Sequence, residues 1–160
     1  MSWSILTVFG LQGAVWQPLY LSAFSVLGYD PICWVSYLCT HMTIGAIAIL
    51  SALRSKDTEK REIGFSTGLT MLLGNISEPA IFGVLMQNKR LFAAQICAAG
   101  VAGIYAAVVG LINYVLWTPC SLLGLSGFVS PDSSLIAVLS FVVVAWGAAT
   151  AFTFLFDKKK

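Results

Sequence analysis

The chain has 160 residues, of which 58% are hydrophobic and 10% charged, and its mean hydropathy is +0.87. These values exclude an ordinary soluble domain, in which about 25% of residues are charged. The net charge of +2 comes from residues that flank apolar stretches, so we expect no nucleic-acid partner. Four uncharged runs are long enough to enter or cross a hydrocarbon layer about 30 Å thick: 1–29, 31–53, 91–131 and 133–156. The sequence predicts an all-α polytopic membrane protein.

The first apolar run, 1–29, lacks the basic start that is typical of a cleaved signal peptide. Its middle carries Gln17 followed by Pro18, a polar residue next to a helix-breaking one. We interpret this run as a hairpin that enters the membrane from outside and returns there before Asp30. A plain single crossing is the alternative interpretation.

The second run, 31–53, has the length of one transmembrane helix. The positive-inside rule places all basic clusters on the cytoplasmic face, so this run crosses inward and the C-terminus is cytoplasmic. The run contains His41, which we interpret either as part of a polar cavity or as hydrogen-bonded to a neighbouring helix. The basic clusters are Arg54, Lys56, Lys60 and Arg61, then Lys89 and Arg90, then Lys158 to Lys160.

The third segment, 63–88, lies between two basic clusters, so both of its ends are expected on the cytoplasmic side. Two full crossings need about 40 residues, more than this segment has. Gly74, Asn75 and Pro79 favour a break in its middle, and Ser77 is a candidate cap for a second half-helix. A half-helix of about 12 residues spans about 18 Å, close to the bilayer midplane. The pattern predicts a re-entrant hairpin.

The last part of the chain contains two more predicted crossings, 91–117 leading outward and 133–156 leading back inward. Between them, 118–132 is either a plain outer loop or a shallow re-entrant dip. No spacing indicates a metal site or a disulfide, so we expect neither a metal nor another cofactor. Four cysteines are interpreted as small buried hydrophobic residues: Cys33, Cys39, Cys97 and Cys120.

Glu78 is the one charged residue inside 63–88. A charge at membrane depth costs about 2.5–3.5 kcal/mol on insertion scales, so it indicates a function. The carboxylate could accept hydrogen bonds from sugar hydroxyls, carry a coupling proton, coordinate a cation, or simply accept backbone N–H groups at the break. Neutral polar and aromatic residues favour a sugar over an ion: Gln12, Gln17, His41, Thr43, Asn75, Ser77, Trp16, Tyr29, Trp34 and Phe82.

The breaks at Gln17-Pro18 and Glu78-Pro79 are analogous, and each is followed by a full apolar helix. One hairpin would open outward and the other inward. Such an inverted repeat is typical of transporters that build a binding site near the bilayer midplane.

"ISEPAIFGV", followed by the basic pair in "MQNKRLF", resembles the I-T-E-P-A-I-F/Y-G-V signature of the membrane-embedded enzyme II C component of sugar phosphotransferase system (PTS) permeases. The glucose superfamily, in its β-glucoside, sucrose and trehalose branch, is the nearest match. "FGLQG" and "FSVLGYDP" resemble segments at and after the first hairpin of that family, and the resemblance runs from about residue 9 to 115. It implies that Glu78 contacts the sugar and that two re-entrant hairpins carry it across.

This sequence departs from the family pattern at several positions. Gln12 replaces the histidine of the first hairpin, and it can hydrogen-bond a hydroxyl but cannot titrate. Asn75 replaces the glycine of the signature, and Leu91 replaces the proline after the basic pair. No segment resembles the phosphorylated-cysteine motif of a B component or an A component, so enzyme activity of this chain itself is left open. The family's N-terminal membrane half, which forms the dimer scaffold, is expected to be missing.

The resemblance implies a bacterial cytoplasmic (inner) membrane protein that corresponds to the C-terminal half of a C component. It would bind a β-glucoside or a disaccharide and pass it to a phosphorylated B component, with an A component upstream. Dimers are expected only together with the N-terminal half. Two alternatives remain, a proton- or ion-coupled secondary carrier and an inactive remnant or accessory membrane subunit. The expected sugar-binding residues are Glu78 and Gln12, supported by Asn75, Ser77 and His41.

Overall fold

The computed structural model describes residues 2–130 and 134–157, and every regular element within them is helical. One isolated bridge joins Asp30 to Asn113. The predicted all-α fold is therefore confirmed. The helices are α1 (Ser2–Val8), α2 (Gln12–Leu27), α3 (Cys33–Arg54), α4 (Thr58–Gly74), α5 (Glu78–Ala80), which continues as a π-helix (Ile81–Leu85), α6 (Lys89–Val108), a 3₁₀-helix (Leu122–Phe128) and α7 (Leu135–Phe156).

Within the described residues, three helices are long and apolar enough to cross a membrane, namely α3, α6 and α7. Helix α3 lies at the centre of the bundle and packs against α4, α6 and α7. About 78% of its most apolar stretch is buried, against 22% for α7, whose apolar side chains mostly point away from the bundle. A helix so apolar on its outer face is stable against lipid rather than water.

Helices α3 and α4 approach each other closely because small residues line their contact. A Cβ placed on Gly64 would lie 2.8 Å from the Ala52 Cβ and 2.9 Å from the Ala48 carbonyl oxygen. A Cβ placed on Gly68 would lie 2.6 Å from Ile49 Cγ1. Small residues at a four-residue spacing allow membrane helices to gain dispersion contacts along their backbones.

One end of the bundle joins α3, the start of α6 and the end of α7. The Arg54 guanidinium donates to the Asp157 backbone carbonyl, and its Nε lies 4.0 Å from Oδ2 of the same residue. The Asn88 amide donates to Asp157 Oδ1 at 3.1 Å. The residues that precede α4 and those that precede α6 therefore lie at the same end of the molecule. Lys158 to Lys160, predicted to be cytoplasmic, are outside the described residues.

Buried polar groups hold the opposite end together. Asp30 is fully buried, and its carboxylate accepts hydrogen bonds from the N–H groups of Ile32, Cys33 and Trp34 at the start of α3. Its backbone also exchanges two hydrogen bonds of 2.9 Å with Asn113. A carboxylate in this position satisfies N–H groups that have no partner within the helix.

The predicted break at Gln17-Pro18 is wrong, because α2 continues through both residues. The chain turns instead at Gly10, whose φ is +69°, and the Leu11 N–H bonds to the Leu6 carbonyl oxygen. Glycine adopts this left-handed conformation without a steric penalty. A proline within a membrane helix is tolerated where local adjustments satisfy the freed backbone carbonyl.

The region after α6 also differs from expectation. The helix predicted over 91–117 stops at Val108, and Gly110, with φ of +65°, turns the chain toward Asp30. Within 118–130 the chain packs inward, since Cys120 and Phe128 have no exposed surface. This region is therefore not a plain exposed loop, and residues 131–133 lie outside the described part. Burial raises the pKa of the Cys120 thiol well above its usual value, so this thiol is unreactive at neutral pH.

Candidate functional site

The predicted break in the third segment is present. Helix α4 ends at Gly74, and Asn75 takes the left-handed conformation with φ 61° and ψ 26°. Ser77 precedes α5 and is buried, but its side chain makes no capping hydrogen bond. Pro79 lies in the first turn of α5, where a missing N–H costs nothing. The predicted position of the break is therefore confirmed. The predicted side-chain cap by Ser77 is not present.

Beyond the break, the chain folds back along α4. A Cβ on Gly83 would lie 3.4 Å from Ile63 Cγ2 and 4.0 Å from Thr67 Cγ2, both of them on α4. The tip of this helical hairpin lies beside His41 of α3. His41 is 13 residues before Arg54, which corresponds to about 20 Å along the helix. The hairpin tip therefore reaches the middle of α3 rather than its far end.

A buried contact connects the tip to α3. His41 Nδ1 lies 2.8 Å from Asn75 Oδ1, and His41 has no exposed surface. The ring of Tyr37, one turn earlier on α3, packs against the imidazole with 3.7 Å between ring centroids. The Tyr37 hydroxyl also lies within hydrogen-bonding range of the Asn75 side chain and close enough to Glu78 to interact with its charge.

Glu78 is exposed, and among residues 2–130 and 134–157 no hydrogen bond or ion pair engages its carboxylate. Within these residues, no backbone N–H group at the tip donates to the Glu78 carboxylate the hydrogen bond that one alternative predicts. The described residues also include no group of three His, Cys, Asp or Glu side chains that could hold a metal ion. The carboxylate is open to a ligand that donates hydrogen bonds.

Gln12 lies apart from this group. It is the first residue of α2 and half-buried, and no hydrogen bond engages its Oε1 within the described residues. No contact shown in the structure joins it to Glu78. Of the five predicted site residues, the fold thus unites His41, Asn75, Ser77 and Glu78 at one hairpin tip and leaves Gln12 on a separate segment.

Tyr37 was not among the predicted site residues. With Trp34 and His41 it forms a row along one face of α3, and Trp117 extends this row at the end that contains Asp30. The centroid distances along the row are 5.6, 5.3 and 3.7 Å. The spacing of three and four residues between the α3 members was the available signal, because such residues share a helix face.

These features define a helical membrane protein with an exposed carboxylate at the tip of a hairpin. The chain is 26% identical over 154 residues to the PTS system beta-glucoside-specific EIIBCA component of Bacillus subtilis, covering 96% of this chain and 24% of that protein. It is 23% identical over 150 residues to the arbutin-, cellobiose-, and salicin-specific EIIBC component of Escherichia coli, covering 94% and 30%.

A third relative is the sucrose-specific EIIBC component of Vibrio alginolyticus, 33% identical over 95 residues, or 58% of this chain and 19% of that protein. The resemblance to PTS permeases is therefore confirmed: the chain is related to the membrane part of these sugar-specific systems. It spans 19% to 30% of the length of these relatives. No family model and no solved structure matches the chain.

Proposed function

We propose that the chain is the sugar-binding and sugar-translocating part of a PTS permease. The observation that carries this proposal is the open carboxylate of Glu78 at a hairpin tip, in a chain related to sugar permeases along most of its length. A carboxylate accepts hydrogen bonds from sugar hydroxyls, and these charge-assisted bonds are stronger than neutral ones.

In this proposal the hairpin formed by α4, α5 and the π-helix is re-entrant, with both of its ends in the cytosol. The first segment, 1–29, is its outward-opening counterpart in an inverted repeat, and the sugar lies between the two tips. Glu78 and Gln12 would contact hydroxyls, with Asn75 and Ser77 as further polar contacts. His41 belongs to the same site but has no exposed surface with which to contact the sugar. The half-buried ring of Tyr37 would offer a face to the sugar.

The proposed ligand is a β-glucoside or a disaccharide, since the relatives' names specify β-glucosides, arbutin, cellobiose, salicin and sucrose. The sugar would pass to a phosphorylated B component that receives its phosphate from an A component. Phosphoryl transfer would take place on those partners. The chain would work in the bacterial cytoplasmic membrane with its C-terminus in the cytosol, and would form dimers together with the N-terminal half of a C component.

Sugar binding tests this proposal directly. The chain is co-produced with the remaining part of the B. subtilis relative, which supplies the length that the chain does not span, and membranes are titrated with radiolabelled salicin. Glu78→Gln keeps the shape of the side chain but removes its charge, so we expect affinity to fall at least about tenfold. Glu59→Gln, an exposed residue at the other end of α4, is the matched control and should bind as the wild type does.

Equal affinity of the Glu78→Gln and Glu59→Gln proteins would refute a sugar-binding role for Glu78. If no protein of the series binds salicin or any other named sugar of the relatives, the chain is better described as an accessory subunit without transport activity.

A proton-coupled secondary carrier is the second candidate, because a carboxylate that forms no ion pair with residues 2–130 or 134–157 is also suited to carrying a proton. Uptake of radiolabelled salicin into vesicles separates the two functions. Uptake that needs phosphorylated B component and survives a protonophore supports the PTS proposal. Uptake that needs no phosphate donor and stops with the protonophore supports the carrier.

A further inference from the structure

His41 is the only histidine of the chain and lies fully buried in the middle of α3. Its ring is covered on one side by Tyr37. A side chain with no exposed surface offers no atom to a ligand at the tip. The ring does, however, hold one atom of the hairpin, since Nδ1 lies 2.8 Å from Asn75 Oδ1. An amide oxygen only accepts, so Nδ1 donates and carries the proton.

The backbone of Asn75 sets the direction of the chain at the tip. Asn75 ends α4 with φ 61° and ψ 26°, a left-handed geometry that glycine adopts freely and that asparagine adopts more readily than most other residues. Its N–H donates to the Met71 carbonyl oxygen at 3.2 Å, which completes the last turn of α4. The direction in which the chain leaves Asn75 determines where Ser77 and Glu78 lie.

The backbone conformation and the side-chain hydrogen bond belong to the same residue, Asn75. The backbone of Asn75 sets the turn of the tip, and the side chain of Asn75 is fixed to the central helix by His41. We infer that His41 is a positioning residue, which acts through Asn75 to hold the hairpin tip against α3 and so to hold Glu78. That the held residue binds sugar rests on the function proposed above. The bond between His41 and Asn75 does not depend on it.

The tautomer of the imidazole tests the bond independently of any sugar. A chain labelled with ¹⁵N-histidine and placed in lipid nanodiscs gives ring signals from His41 alone. We expect a neutral ring that carries its proton on Nδ1, since the hydrogen bond selects the tautomer. Asn75→Gly removes the acceptor and keeps the left-handed turn, so the proton should redistribute toward Nε2. Glu78→Gln is the control and should leave the ring signals unchanged.

A ring with its proton on Nε2 in the wild type, or one that Asn75→Gly leaves unchanged, would overturn the inference. This outcome does not depend on salicin binding, so the inference can fail while the proposed function stands. The reverse also holds, because a wild type that binds no sugar would still report the tautomer.

A double variant tests whether His41 acts through Asn75. His41→Phe fills the ring site but removes the Nδ1 proton donor from Asn75 Oδ1, and we expect salicin affinity to fall about tenfold. Asn75→Gly removes the amide that His41 holds and also a proposed sugar contact, so its own affinity is the reference for the double variant. The double variant should match Asn75→Gly, because the histidine then has no amide left to hold. If the double variant binds salicin more weakly than Asn75→Gly, the histidine contributes to sugar binding by another route and the inference is wrong.

Discussion

The hairpin of residues 58–85 and the first segment, α1 with α2, are attached to the bundle in different ways. The hairpin contacts α3 along its length, through Gly64 and Gly68 near its base and through Asn75 at its tip. Along α2 only Tyr20 is buried. This chain therefore holds the Glu78 hairpin through contacts along α3, whereas α2, which begins at Gln12, fully buries a single aromatic residue.

The physical reason lies in the surfaces of the two regions. Small residues let α4 lie close to α3, so that backbone atoms contribute to packing. The apolar side chains of α2 are instead mostly exposed, among them Leu19 at 53% and Val26 at 79%. Such a surface is stable against lipid or against a further protein surface.

The largest effect is expected where α2 is attached. Tyr20 is fully buried and stacked on Trp34 at 4.0 Å, and its hydroxyl accepts a hydrogen bond from the Trp117 N–H at 2.9 Å. Tyr20→Ala should lower the free energy of unfolding by about 3–5 kcal/mol, as for other buried aromatic truncations. Denaturant titration in mixed micelles, followed by tryptophan fluorescence, measures it.

The neighbouring variant Leu19→Ala is the control for that attachment. Its side chain is half exposed, so the change should stay below about 0.5 kcal/mol. Equal losses in the two variants would show that α2 has no single attachment point, and the contrast with the hairpin would disappear.

The next effect concerns the close contact of the hairpin with α3. Gly64→Ala places a methyl group 2.8 Å from the Ala52 Cβ and 2.9 Å from a backbone oxygen. Overpacking of this kind should cost about 1–3 kcal/mol of unfolding free energy. Gly103→Ala on α6 meets nothing within 4 Å, so it should be neutral or stabilise by up to about 1 kcal/mol. The same titration compares them, and a neutral Gly64→Ala would contradict the close packing.

A smaller effect is expected at the base of the hairpin. Asp157→Ala removes the acceptor of the Asn88 amide and the carboxylate beside Arg54. These contacts are partly exposed, so the loss should be about 0.5–1.5 kcal/mol. Glu62→Ala, an exposed acidic residue on α4, should change the unfolding free energy by less than about 0.5 kcal/mol. A thermal shift in micelles that is the same for both variants would exclude a role for Asp157 in joining the three helices.

The smallest effect is expected for Gln12. No hydrogen bond within the described residues engages its Oε1, so Gln12→Ala should change the unfolding free energy by less than about 0.5 kcal/mol. Its influence, if the proposed function holds, appears in salicin affinity alone. A stability loss comparable to that of Asp157→Ala would reveal a structural partner of Gln12 and weaken the contrast between the two regions.

Much of the fold could be predicted from the charge pattern. Uncharged runs gave α3 and α7 to within two residues, and the break at Gly74 and Asn75 followed from local backbone preferences. The turn at Gly10 could not be predicted, because Pro18 is the stronger local breaker and α2 nevertheless continues through it. The early end of α6 could not be predicted either, since the apolar residues after Val108 suit a helix equally well.

Part of the candidate site could also be predicted from the sequence. Glu78 is conspicuous as a lone charge in an apolar segment, and Asn75 and Ser77 are adjacent to it. That His41 contacts Asn75 rather than a ligand depends on how α3 and α4 align, which no local pattern encodes. The buried carboxylate of Asp30 was read as an outer loop charge for the same reason.

We expect the hairpin of residues 58–85 to enter the membrane and return to the side from which it came. Single cysteines at Lys56 and Lys89, in a background with the four native cysteines replaced by alanine, test it with a membrane-impermeant maleimide. Both positions should react in inside-out vesicles and neither in right-side-out vesicles. Reaction of the two positions from opposite sides of the membrane would contradict the account.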